Sequence, residues 1–69
     1  AKFQKRDFDG AIKDYSQVIK MNPKDSDAFF NRANVRKKMG DMKSACEDWR
    51  KAAELGDEDA AKLVEEHCR

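Results

Sequence analysis

Apolar side chains recur along this chain at intervals of three and four residues, the spacing that gathers them on one side of an α-helix. Between Phe29 and Leu55 two such stripes meet at Gly40-Asp41. Gly takes the left-handed conformation that closes a helix, and Asp is a favoured cap for the next, so the pair predicts a helical hairpin. In the second helix Met42, Ala45, Trp49 and Ala52 share one stripe. Ala45 is small enough to let a neighbouring helix approach closely, and Trp49 supplies the large apolar surface. That placement marks Trp49 as a core anchor rather than a ligand platform. A hairpin of this kind cannot bury both faces alone, so its neighbours must complete the core.

Sliding the sequence by 34 residues finds those neighbours. Asp7 falls on Asp41, Ala11 on Ala45, Asp14 on Asp48 and Asp25 on Asp59. Apolar residues match in kind: Phe8 with Met42, Ile12 with Cys46, Tyr15 with Trp49, Met21 with Leu55, Phe29 with Leu63. Residues 1–5 read as the last turn of a helix. Asp7 is placed to cap the next one, Phe8 to Met21, whose predicted buried stripe is Phe8, Ala11, Ile12, Tyr15, Val18 and Ile19. Gly10 in its first turn weakens it by up to about 1 kcal/mol relative to Ala. Asn22-Pro23 stops it, because Pro cannot continue a helix and disfavours helical geometry just before itself. Asp25 or Ser26 caps a third helix ending near Met39. Gly56 closes the fourth, and Asp57 starts a last helix over roughly Glu58 to Cys68. That helix has Ala60, Leu63 and Val64 to bury, with His67 or Cys68 as a further candidate. Nothing in the pattern alternates as a strand would.

These features resemble the tetratricopeptide repeat family, a 34-residue helix–turn–helix unit with small, aromatic and Pro positions. The first copy shows Ala11, Tyr15 and Pro23. The second has Phe29 in the usual Trp slot and Ala33 in the Gly slot, then Gly40-Asp41, Ala45, Trp49 and Ala52. It departs from the pattern at Arg32 and Arg36, which stand where Leu and Tyr are usual, and at Asp57 in place of Pro. Residues 49–56 followed by Ala60 also look like the Sel-like cousins of the family. The resemblance implies an all-α fold: tetratricopeptide-like helical hairpins stacked as a short right-handed solenoid with a C-terminal capping helix. Residues 1–25 would form a partial repeat, 26–57 a complete one and 58–69 the cap. Arrays usually need three or more repeats, so the chain is expected to continue a longer array or to self-associate.

The resemblance also implies a function, a non-enzymatic scaffold that binds a protein or peptide partner. In the family, the inner face of each repeat's first helix lines a groove for peptides. Mapped here, that face is Asp27, Phe30, Asn31, Asn34, Lys37 and Lys38. Two amides and two ammonium groups suit a peptide backbone and its carboxylates, and Phe30 adds apolar contact. The bland alternative is a solvated helix face carrying one aromatic. A rival function is structural, with the segment capping a longer array while partners bind elsewhere. Some family members clamp the C-terminal carboxylate of heat-shock chaperones with Lys and Asn. Asn31 matches one clamp residue, but Ala61 and Glu65 stand where a basic pair belongs, and Glu repels a carboxylate.

Composition narrows the field. Apolar residues are 39% and charged residues 42% of the chain, as expected of charged helices around a thin core. The net charge of +1 provides no bulk field for nucleic acid or an anionic membrane. Arg32, Arg36, Lys37, Lys38 and Lys43 form a basic cluster, but Glu54, Asp57, Glu58, Asp59, Glu65 and Glu66 oppose it. No aromatic residues interleave for base stacking, so no nucleic-acid partner is expected. Arg32 and Arg36 are expected to lay their stems on the core and hold their heads in water. No apolar run approaches the roughly 20 residues of a membrane helix. No phosphate loop or catalytic set is present, so neither an enzyme nor a cofactor is expected. His67 and Cys68 lack partners for a zinc site of the usual kind. Cys46 lies on the flank that should meet the last helix, and Cys68 near the end of that helix, which is expected to run back antiparallel. A disulfide between them would fasten the terminal helix, but two reduced thiols in a cytoplasmic protein are the expectation.

Overall fold

Four α-helices make up the described part, residues 7–68, of the computed structural model: α1 (Phe8–Met21), α2 (Ser26–Met39), α3 (Met42–Glu54) and α4 (Glu58–His67). The described residues contain no strand. The helical turn expected over residues 1–5 lies outside them.

Each break in the chain has a local chemical cause. The Asp25 side chain accepts the Ala28 amide at the start of α2, and Asp41 accepts that of Ser44 at the start of α3. Asp57 accepts the amides of both Asp59 and Ala60 at the start of α4. These bonds satisfy donors that have no partner inside a helix, and the charge suits the positive end of the helix dipole. Asp7 differs from the expectation, for its side chain makes no capping bond to α1. Its carboxylate instead crowds Gly10, where an added Cβ would lie 3.2 Å from Oδ1.

Gly40 and Gly56 end α2 and α3 with φ of 91° and 106°. At both ends two amides fold back onto the last carbonyls: Gly40 to Lys37 with Asp41 to Arg36, and Gly56 to Ala53 with Asp57 to Ala52. This is the Schellman arrangement, which needs a left-handed residue at the glycine. An added Cβ would meet nothing within 4 Å at either position. The cost of Gly40→Ala or Gly56→Ala is therefore backbone strain alone, about 1–2 kcal/mol. Thermal melts should show a fall of several degrees for each variant. An unchanged melting temperature would contradict the closure described.

The helices pack in chain order, α1 on α2, α2 on α3 and α3 on α4. The bundle measures 34 × 28 × 15 Å, and 15 Å is room for about two helix layers at the usual interaxial spacing. Every helix consequently keeps one face in solvent. The core joins Phe29 and Ala33 of α2, Ala45, Trp49 and Ala52 of α3, and Ala60 of α4. Ala33, Ala45, Trp49, Ala52 and Ala60 are fully buried, so four alanines permit the close approach and the indole fills the space. Leu63 and Val64 pack on this core half-buried.

Two expectations about α1 and the repeat need correction. No residue of α1 is buried: Phe8, Ala11, Ile12, Tyr15 and Ile19 are half-buried and Val18 is exposed. Among the described helices α2 is the main one packed on this stripe, so part of its surface stays in contact with water. The 34-residue period also fails to hold for every helix. It relates the start of α1 at Phe8 to that of α3 at Met42, but the cap that answers Asp25 is Asp57, not Asp59. The helix α3 is one residue shorter than α1, and its turn replaces Asn22-Pro23-Lys24-Asp25 with Leu55-Gly56-Asp57. Ala28 and Ala60, both buried three residues after their caps, are the true counterparts.

Candidate functional site

Residues Asp27, Phe30, Asn31, Asn34, Lys37 and Lys38 recur on α2 at intervals of three and one, which holds them to one side of the helix. Asp27, Asn31, Lys37 and Lys38 are exposed, and Asn34 is half-buried. Phe30 is also half-buried and packs against the core, so only part of its ring is open to contact. The face is an open surface: the described residues enclose no cavity. Two amides and two ammonium groups offer donors and acceptors along a helix side, with an apolar ring edge between them.

A buried carboxylate fixes the orientation of α2. Asp48 of α3 is 4% exposed. Arg32 grips it with two parallel bonds, Nε to Oδ2 at 2.8 Å and Nη2 to Oδ1 at 2.7 Å. Arg36 donates to Oδ2 at 3.0 Å. The third nitrogen of Arg32 donates to Ser16 Oγ at 2.9 Å, which brings in α1, and its guanidinium lies over the Phe29 ring. Three helices are thus joined through Arg32, and forked bonds of the kind it makes to Asp48 specify geometry as well as adding energy. The Arg32 pKa is raised, first by its hydrogen bond to Asp48 and further by the charge there, against the opposing effect of burial. The expectation that both guanidinium heads sit in water is therefore wrong. Burial of Asp48 on the α3 side draws them inward.

The second support is covalent. A disulfide joins Cys46 of α3 to Cys68 at the end of α4, with Cα atoms 5.7 Å apart, so the expected pair of free thiols is not found. The reason lies in the arms of the hairpin: Cys46 precedes Gly56 by ten residues and Cys68 follows it by twelve. Antiparallel packing brings them level at the open end. With Cys68 oxidised, no thiolate remains there to ligate a metal. Beside the bond, the ring of His67 stacks on Trp49 at 5.6 Å, and Arg50 donates to the Cys68 carbonyl at 3.1 Å. The buried indole Nε1 of Trp49 has no acceptor among the described residues.

Comparison with known proteins agrees with this geometry. A family model described as TPR repeat matches residues 1–40, and one described as Tetratricopeptide repeat matches residues 26–55. The chain belongs to the tetratricopeptide repeat family. It is 40% identical over 53 residues to Hsp70-Hsp90 organizing protein 1 of Glycine max, a match that covers 77% of this chain and 9% of that protein. It is 40% identical over 58 residues to Hsp70-Hsp90 organizing protein 1 of Arabidopsis thaliana, covering 84% of this chain and 10% of that protein. The chain thus spans about a tenth of these relatives. No solved structure matches. Membership and these relatives support a protein-interaction role.

Within the tetratricopeptide frame, the two arginines that depart from the family pattern share one function, the hold on Asp48. The sequence does carry a signal for this. Asp48 lies between Ala45 and Ala52 in phase with the buried stripe of α3, where a lone carboxylate requires a partner. At the positions compared with the chaperone-tail clamp, Asn31 is exposed on α2, and Ala61 and Glu65 are exposed on α4. No helix of the described residues is long and apolar enough to cross a membrane.

Proposed function

We propose that this chain is a non-enzymatic tetratricopeptide interaction module that holds an extended peptide segment along Phe30, Asn31, Asn34, Lys37 and Lys38 of α2. The observation that carries the reading is the pairing of a tethered back with an open front. Arg32 and Arg36 lock α2 to its neighbours through Asp48, and Asn31, Lys37 and Lys38 stand exposed. A helix held rigidly can present side chains without paying again to order them on binding. The peptide would carry acidic side chains opposite Lys37 and Lys38, and its backbone would bond to the two amides. The names of the relatives point toward chaperone-associated partners. Glu65 on α4 argues against capture of a bare C-terminal carboxylate by this part of the chain.

The test begins with a partner recovered by the full-length parent protein. Asn31→Ala and Asn34→Ala should each weaken its affinity by about 1–3 kcal/mol, because a peptide group buried on binding loses its hydrogen bond. Lys37→Ala and Lys38→Ala should act mainly on the association rate, and that effect should fade with added salt. Lys13→Ala and Lys51→Ala, exposed on α1 and α3, should change nothing.

A second reading is favoured by the outer surface of α4, where Glu58, Asp59, Lys62, Glu65 and Glu66 are all exposed. A polar outer face is what a terminal cap of a repeat array requires. On this reading residues 58–69 close the stack, and partners bind other repeats of the parent. Partner binding by the parent that survives the Asn31 and Asn34 variants, with a less stable stack on apolar substitution of the exposed residues around Glu65, would select it.

A further inference from the structure

We infer that the Cys46–Cys68 disulfide is a redox latch on α4: a dithiol reductant opens it and frees this helix from α3 while α1, α2 and α3 stay folded. This does not depend on the peptide-binding reading. The argument starts from how little else holds α4. The helix has 10 residues, and an isolated helix of that length is marginal in water. Ala60 is its one buried residue, while Leu63 and Val64 are half-buried and Glu58, Asp59, Ala61, Lys62, Glu65, Glu66 and His67 are exposed. The Asp48 cluster that ties α1, α2 and α3 together has no member on α4.

The bond closes the open end of the α3–α4 hairpin, whose other end is the Gly56 turn, across a sequence separation of 22. Both cysteines are half-buried rather than enclosed, so a thiolate can approach. In the exchange one thiolate of the dithiol attacks a sulfur of the pair and expels the other cysteine as thiolate. The second thiol of the reagent then displaces the first cysteine. Two electrons and two protons pass to Cys46 and Cys68, and the reagent leaves as its cyclic disulfide. Freed of the constraint, α4 loses a closure factor on the order of a hundredfold for a loop of this size. Trp49, fully buried and stacked on His67, is then uncovered at that face.

The experiment uses the 69-residue chain, oxidised or treated with dithiothreitol, with mass spectrometry confirming the gain of two hydrogens. Trypsin cleavage after Lys62 in α4 should accelerate by roughly tenfold or more on reduction, as local opening exposes the bond. Cleavage after Lys51 in α3 should stay slow. The emission of Trp49, the single tryptophan, should move to longer wavelength. The variant Cys68→Ser should behave as the reduced form with and without the reagent. Unchanged protection of Lys62 and unchanged emission after full reduction would overturn the latch. So would a Cys68→Ser chain as protected as the oxidised one. Equal acceleration at Lys51 and Lys62 would also overturn it, because the bond would then be holding the whole fold.

Discussion

Trp49→Ala is expected to leave the chain unfolded at ambient temperature. The indole is fully buried in the core shared by α2, α3 and α4, where Ala33, Ala45, Ala52 and Ala60 are too short to refill the space it would leave. Truncating a buried aromatic to Ala costs about 3–5 kcal/mol, through lost transfer energy and a cavity that relaxes only in part. A domain with a core this thin has little more than that in total, since small folds run to roughly 0.05–0.15 kcal/mol per residue. Circular dichroism should show most of the helix signal gone. Trp49→Phe should be far milder, for it keeps most of the apolar volume and removes the indole donor that has no acceptor among the described residues. A Trp49→Ala chain that melts as the unaltered chain does would contradict the core described.

Asp48→Ala is the second large effect. The carboxylate answers two guanidiniums, with the Arg32 side chain 16% and the Arg36 side chain 24% exposed. Removing it leaves two positive charges facing each other, largely out of water. Breaking a buried pair from one side costs about 3–5 kcal/mol, and the residual exposure of both arginines places this case at the lower end. A double-mutant cycle should find Arg32→Ala and Asp48→Ala strongly non-additive, since the first loss already empties the contact of the second. The pH dependence follows from the raised Arg32 pKa. A cation whose folded pKa is raised contributes its stability below the unfolded value and loses it only as pH climbs through the folded one, beyond the usual arginine range. Stability between pH 6 and 9 should therefore not vary through Arg32, as thermal melts across about that range can check. By contrast, the exposed Lys51–Glu54 pair at 3.8 Å should be nearly silent to substitution.

The helices were legible in the sequence because their punctuation is chemical. Gly40, Gly56, Pro23 and three aspartate caps leave few other places for helices to start or stop, and the observed limits fall at those residues. Core membership was legible in α3, where Ala45, Trp49 and Ala52 fall in one phase. It was not legible in α1, whose stripe looks as apolar as that of α3 but is covered mainly by α2 among the described helices. Periodicity reports which side of a helix is apolar, not how many neighbours lie against it. The Asp48 cluster is hard to draw from the arginines for a related reason: their long stems suit Leu and Tyr slots, and the carboxylate that receives them lies 16 and 12 residues away on another helix. The disulfide pairing follows from hairpin arms of similar length and could be drawn from sequence. Its oxidation could not, because two cysteines by themselves are compatible with either state.

The candidate face stands differently. Its residues share one side of α2 by helical phase, and the exposure of Asn31, Lys37 and Lys38 agrees with an outward orientation. Phe30 also packs half-buried against the core, a contact that helical phase alone does not reveal.

Mapping the bound partner directly onto the chain tests the interaction surface most plainly. In amide-resolved NMR of isotope-labelled chain titrated with the partner segment, shifts should concentrate on α2, at Phe30, Asn31, Asn34, Lys37 and Lys38, with the side-chain amides of Asn31 and Asn34 among the most affected. A titration that leaves α2 silent while the full-length parent still binds the segment would contradict the α2 surface and favour the reading of the chain as a cap.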